Sequence, residues 1–247
     1  MKRTVLLSLF LAVFVLAAGA MIHADPGKAA AKSKAGFFAV SSDAPDSLAI
    51  LPPPPATGSL QFLLDEAHYK EGLIERGTKR GAQASRDADL STLPESFSAA
   101  FGMPISAEST PAIHALLSRM KYDLGLSTRA AKRGYMRVRP YVLYNAPTCY
   151  QPDEGKTRKN GSYPSGHSCR GWGFALVLAE INPQNKEAIL KKGYEVGQSR
   201  VICGYHWQSD VDAGRIIASA AVACLHSNPE FQRMLAEAKA EFAAKAR

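Results

Sequence analysis

Ser165-Gly-His-Ser-Cys-Arg-Gly-Trp-Gly-Phe-Ala-Leu-Val-Leu-Ala-Glu-Ile181, halted by Asn182-Pro183, is the stretch on which the fold turns. Trp172, Phe174, Leu176 and Leu178 sit in a run too long for an ordinary strand, and Asn-Pro is a stop signal, so the spacing predicts a helix over 165–181. Outward from it the pattern stays helical. Upstream, Ile113, Leu116, Leu117, Met120 and Leu124 form one apolar stripe, with Thr110 as a candidate cap and Pro111 at the first helical position. Further upstream, Leu60, Leu63, Leu64 and Ala67 recur at helical spacing. Downstream, helices are expected from about Gln184 to Arg200, from near His206 to Cys224, and from Asn228-Pro229 onward with Phe231, Met234, Leu235 and Phe242 inward. Neither an alternating strand of useful length nor an internal repeat is evident. The expected architecture is an all-α, single-domain helical bundle.

At 247 residues, 46% hydrophobic and 21% charged, the chain can build one sizeable core without depending on a metal or disulfides. Lys2-Arg3, the apolar run from Val5 to Ala18 and the small residues at Ala18-Gly-Ala20 and Ile22-His-Ala24 have the layout of a secretory signal peptide. Residues 1–24 are therefore expected to be removed, after Ala20 or Ala24, leaving a secreted, periplasmic protein without stable membrane association; the competing reading is an uncleaved anchor. Residues 25–57, with Pro52 to Pro55, read as an extended Pro-rich arm, and 58–247 as the catalytic domain. Cys149, Cys169, Cys203 and Cys224 would meet an oxidising compartment, where two disulfides and buried free thiols stay equally open. The formal net charge is +8, and losing Lys2 and Arg3 leaves +6. With no long basic run, that charge fits a site for a small anion better than a nucleic-acid polymer.

Three segments concentrate polar chemistry. The first is Lys132 and, seven residues on, Arg139. The second is Pro164-Ser-Gly-His167, at the start of the 165–181 helix, where unpaired backbone N–H groups and the helix dipole favour an anion. Gly166 lets the anion approach the backbone and Ser165 adds a hydroxyl. The third is Ser199-Arg200, His206 and Asp210. Lys132, Arg139 and Arg200 together suit the equatorial oxygens of a phosphoryl group in transfer. His206 and Asp210, four apart, would share a helix face, so that the carboxylate fixes the imidazole tautomer of a nucleophile. His167 is then available as general acid and base. No metal or other cofactor is required.

These segments resemble the tripartite signature of the phosphatidic acid phosphatase type 2 superfamily, which includes the vanadium haloperoxidases. Gly161-Ser-Tyr-Pro-Ser-Gly-His167, Ala175-Leu-Val-Leu-Ala-Glu-Ile-Asn-Pro183, Val201-Ile-Cys-Gly-Tyr-His-Trp-Gln-Ser-Asp210 and Leu51-Pro-Pro-Pro-Pro55 are similar to the bacterial class A non-specific acid phosphatases, over nearly the whole mature chain. The resemblance implies an all-α fold of the acid phosphatase and haloperoxidase type, export to the periplasm, and broad, metal-independent hydrolysis of phosphate monoesters with phosphotransfer as a side activity. It implies His206 as nucleophile, His167 as acid, Asp210 as the partner of His206, and Lys132, Arg139, Ser165, Gly166 and Arg200 as phosphate ligands. Ser168 stands where Thr is usual. Arg170 stands where an apolar residue is common, either near the site or on the outer helix face.

Two other readings belong to different classes: a vanadate-dependent haloperoxidase using the same cradle, and a non-catalytic periplasmic phosphate-binding protein. The latter has no use for both His167 and the His206–Asp210 pair. His114 and His226, with no motif around them, read as structural. Arg137 reads as a surface charge, Asp212 as pointing away from the site, and Tyr163, Tyr205 and Trp207 as core packing. The expected partners are small-molecule phosphate esters and further copies of the chain in a homo-oligomer.

Overall fold

A computed structural model describes residues 36–38 and 41–246, and no strand occurs among them. The expected signal peptide and the start of the arm lie outside the described residues. The helices are α1 (Ser47–Ile50), α2 (Leu60–Glu75), α3 (Lys79–Arg86), α4 (Ser98–Phe101), α5 (Pro111–Leu126), α6 (Arg129–Tyr135), α7 (Pro140–Leu143), α8 (Glu154–Thr157), α9 (Gly166–Ile181), α10 (Lys186–Ile202), α11 (Gln208–Leu225) and α12 (Pro229–Lys245). The all-α expectation holds.

α9 is the central helix, packed by α10, α11 and α5. Phe174, Ala175, Val177 and Leu178 are fully buried on it, as are Ile113, Leu116, Leu117, Met120 and Leu124 on α5. α9 and α10 approach closely because both carry glycine at the crossing. A Cβ on Gly193 would overlap that of Ala175, and one on Gly171 would press on Val196. Burying these side chains contributes roughly 1.5–3 kcal/mol each, upper figures because the unfolded chain is already partly collapsed.

Three details depart from the sequence reading. On α2 the stripe of Leu60, Leu63 and Leu64 faces outward, each more than half exposed, while Phe62, Asp65, Tyr69 and Gly72 face inward. The spacing found the helix, but its apolar stripe is not the covered face, and the inward side carries the Asp65 carboxylate. Thr110 does not cap α5: its hydroxyl donates to the Pro104 carbonyl (3.1 Å) and accepts from the Ser106 N–H (3.2 Å). Part of the expected extended arm folds back: Phe37, Phe38 and Leu51 lie in the core, and α1 packs on α6. The Phe37 and Phe38 N–H groups donate to Asp123 at 2.7 and 3.1 Å.

Cys149 and Cys203 form a disulfide, whereas Cys169 is a buried free thiol and Cys224 a partly buried one. The bridge ties the segment after α7 to the end of α10. No helix among the described residues is long and apolar enough to cross a membrane.

Candidate active site

Lys132 lies in the last turn of α6, which ends at Met136 in the left-handed region. The chain then runs to Arg139, which immediately precedes Pro140 at the start of α7. Both cations turn back toward the segment before α9. The Lys132 ammonium donates to the carbonyls of Gly161 (3.0 Å) and Ser162 (3.2 Å). Arg139 is 4% exposed and donates to the carbonyls of Thr157, Gly161 and Tyr205 and to the Asn160 side chain. These bonds hold both side chains against the segment that precedes α9. Burial, and the Arg139 charge beside it, push the Lys132 pKa well below the usual lysine value.

α9 begins beside them. Ser165 is its N-cap, with its hydroxyl accepting from the Ser168 N–H at 3.3 Å and its own N–H donating to the Asp210 carbonyl at 2.8 Å. Gly166 and His167, the first two helical residues, line a cavity of about 450 Å³ together with Lys132, Arg139, Arg200, Tyr205 and His206. Ser165 is fully buried and is not among its lining residues, because a helix start needs a cap and its hydroxyl meets that need. A Cβ at Gly166 would lie 3.9 Å from Lys132 Cε, so glycine leaves that corner open. The His167 Nε2–H donates to the Ala88 carbonyl (2.9 Å), which leaves Nδ1 free to exchange a proton.

Arg200 comes from the last turn of α10. It is 1% exposed, its guanidinium lies 4.2 Å from the Tyr205 ring centre, and its Nε and Nη1 have no hydrogen-bond partner. Leaving two charged donors unpaired in the interior costs about 1–3 kcal/mol or more. Burial lowers its pKa to about 10.

His206 and Asp210 meet, though not on a shared helix face. α11 begins only at Gln208, with Trp207 as its N-cap and Asp210 as the third helical residue. The Asp210 carboxylate turns back over the helix start, as in a capping box. Its Oδ2 accepts from the Trp207 N–H (2.9 Å) and from Ser162 Oγ, and lies 3.3 Å from His206 Nδ1. His206 Nε2 is 3.1 Å from Arg139 Nη1. Arg139 can only donate, so Nε2 carries the lone pair and Nδ1 the proton. Burial first, then the Arg139, Lys132 and Arg200 charges, hold the His206 pKa well below its usual value; burial and Arg200 do the same to His167.

Arg137 is not the surface charge its sequence context suggests: its side chain is 8% exposed. It donates to Asp210 Oδ1 (2.7 Å), Asp65 Oδ2 (2.7 Å) and Ser209 Oγ (2.7 Å). Asp65 in turn accepts from the Ser209 N–H at 2.8 Å. Ser162, Arg137 and Asp65 were missed because none of them belongs to a periodic pattern, and the inward face of α2 that carries Asp65 is seen only in the structure. Arg170, left open above, crosses from α9 to α5 and lines the cavity. Asp212 is exposed and pairs with Arg215, while His114 and His226 pair with Glu95 and Glu180. Tyr163, Tyr205 and Trp207 are buried, and Tyr205 also lines the cavity.

Residues 112–233, a span holding all three cradle cations and both imidazoles, match the PAP2 superfamily. Over 241 residues the chain is 54% identical to a non-specific acid phosphatase of Providencia stuartii, covering 96% of this chain and 97% of that one. It is 43% identical over 194 residues to a non-specific acid phosphatase of Salmonella typhimurium, covering 77% and 78% of the two chains. An acid phosphatase of Zymomonas mobilis is 38% identical over 201 residues, covering 79% and 75%.

Proposed function

The chain belongs to the PAP2 superfamily, as a class A non-specific acid phosphatase, and from that premise we propose that it hydrolyses phosphate monoesters through a covalent phosphohistidine on His206. One observation carries the reading: a buried guanidinium, that of Arg200, has two unpaired donors in the wall of the cavity that also holds His206. A phosphoryl oxygen would satisfy them.

The substrate dianion enters among Lys132, Arg139, Arg200 and the α9 N-terminus, with Ser165 fixing that helix end. An incoming oxygen takes the Arg139 donor from His206 Nε2 and frees the lone pair. Nε2 attacks phosphorus as the bond to the ester oxygen breaks, and His167 gives the leaving alcohol its proton. Asp210 keeps the proton on Nδ1 and offsets the positive charge that the ring acquires. Water, giving up a proton to His167, then attacks phosphorus, breaks the N–P bond and releases inorganic phosphate. An alcohol in place of water gives phosphotransfer. No step uses a metal. Export through the N-terminal leader and assembly into a homo-oligomer belong to the same proposal.

Turnover of p-nitrophenyl phosphate tests it. The parent enzyme should act in excess chelator, His167→Ala should lose about 10²–10⁴-fold in kcat, and His206→Ala should fall to background. Activity abolished by chelator, or an unimpaired His206→Ala variant, would contradict the reading.

A further inference from the structure

The hydrogen bond that fixes the His167 tautomer ends on a carbonyl outside the three motifs. His167 Nε2–H donates to the Ala88 carbonyl at 2.9 Å, and Ala88 is fully buried in the irregular segment after α3. The backbone bonds of that segment are long ones. The Ala88 N–H donates to the Ser85 carbonyl and the Asp89 N–H to the Arg86 carbonyl, both at 3.3 Å. Bonds of that length do little to hold a carbonyl in one direction.

Asp87 supplies the missing anchor. It is the C-cap of α3 and the residue before Ala88, and its side chain is 1% exposed. Oδ1 accepts from Gln83 Nε2 and from Lys192 Nζ, both at 2.7 Å, and Oδ2 accepts from Ser199 Oγ at 2.6 Å. Ser199 Oγ accepts in turn from Arg80 Nη1 at 2.9 Å. Lys192 and Ser199 lie two turns apart on one face of α10, so a single carboxylate ties the Ala88 segment to that helix. A buried ion pair is weak evidence for stability, because desolvation offsets the attraction. The cavity makes no direct use of this one either: Asp87, Lys192 and Ser199 are absent from its lining, whereas His167 and Leu90 belong to it.

We propose that Asp87, held by Lys192 and Ser199, is a positioning residue for the general acid: it fixes the Ala88 carbonyl, and that carbonyl keeps a proton on His167 Nε2 and aims Nδ1 at the leaving oxygen. The proposal rests on the phosphohistidine reading above, with His167 as its acid. As His206 Nε2 bonds to phosphorus, the bond from phosphorus to the ester oxygen breaks. That oxygen keeps the electron pair and takes the proton from His167 Nδ1, and the Nε2–H bond to Ala88 persists throughout. Arg200 depends less on the tie, because its backbone lies within the hydrogen-bonded ladder of α10. Loss of Asp87 should therefore impair leaving-group protonation and spare phosphate binding.

The test measures kcat/KM for dinitrophenyl phosphate and phenyl phosphate, with competitive inhibition by inorganic phosphate, in the parent, Asp87→Ala and His167→Ala. Phenolate needs the proton and dinitrophenolate does not. In both variants the loss on phenyl phosphate should exceed the loss on dinitrophenyl phosphate by about tenfold, and in Asp87→Ala the inhibition constant should stay within about threefold of the parent. A defect of structure alone would lower both esters alike. Nitrogen NMR with labelled histidine should show His167 as the Nε2–H tautomer in the parent and as a mixture in Asp87→Ala. Should Asp87→Ala melt too low to assay, Lys192→Gln replaces it, at a side chain 12% exposed, with the same ester-dependent loss expected. Equal losses on the two esters while His167→Ala stays selective, or an unaltered His167 tautomer, overturn the tie. A His167→Ala variant without that selectivity instead removes the acid role on which the tie rests.

Discussion

Two imidazoles in this protein are buried among arginines, and that placement has a thermodynamic consequence. His206 and His167 both have folded-state pKa values pushed below the ordinary histidine value of 6.5, by burial first and by nearby cations second. Between those depressed values and 6.5 the unfolded chain binds protons that the folded chain does not. Stability from keeping both rings neutral is therefore complete above pH 6.5 and is lost as pH falls toward the folded values. Each ring contributes a slope of up to about 1.4 kcal/mol per pH unit. A phosphate dianion in the cavity offsets the arginine charge and favours protonated His167, so it should flatten the slope. Urea unfolding from pH 7 to pH 5 should show stability falling with acid, the fall reduced by inorganic phosphate and by His167→Gln. A slope that phosphate leaves unaltered would mean that the rings do not face the anion.

At the scale of elements, the His206–Asp210 pair depends on how α2 and the start of α11 are tied. Arg137 is the tie, bonded to Asp65 on α2 and to Asp210 on α11, with all three side chains nearly inaccessible. Removing one member of a buried ionic group leaves the others uncompensated, at about 3–5 kcal/mol. Arg137→Met should lower unfolding stability by that amount and reduce kcat more than it raises KM, because Asp210 is freed to rotate away from Nδ1. A change below about 1 kcal/mol would show that the tie is dispensable. This arrangement is also where reading from sequence reached its limit. The stripe from Ile113 to Leu124 was legible because burial repeats with the helix period. The pairing of His206 with Asp210 was legible from spacing, although a cap and not a helix face produces it. Arg137 was invisible because its two carboxylate partners are 72 and 73 residues away, and nothing local distinguishes such an arginine from a solvated one. The outward leucines of α2 misled for the converse reason, since an apolar period marks a helix without saying which side is covered.

Across the whole molecule, α6, the start of α7, α9, α10 and the segment before α11 converge so that one cavity receives Lys132, Arg139, Arg200 and two imidazoles from segments distant in the chain. The three motifs could be read from sequence, and so could the helical class. The cavity's surplus of cations could not, because Arg129 and Arg133, four apart on α6, read as a solvated helix face, and Lys156 and Arg170 join them only by packing. The central claim is that this cavity makes His206 a nucleophile toward phosphorus. It is tested most directly by mixing the enzyme with a phosphorus-labelled substrate, quenching within one turnover under alkaline denaturing conditions, and mapping the label by peptide mass spectrometry. The label should sit on the peptide bearing His206 and be absent from His206→Ala. Label on another residue, or equal labelling of that variant, would contradict the account.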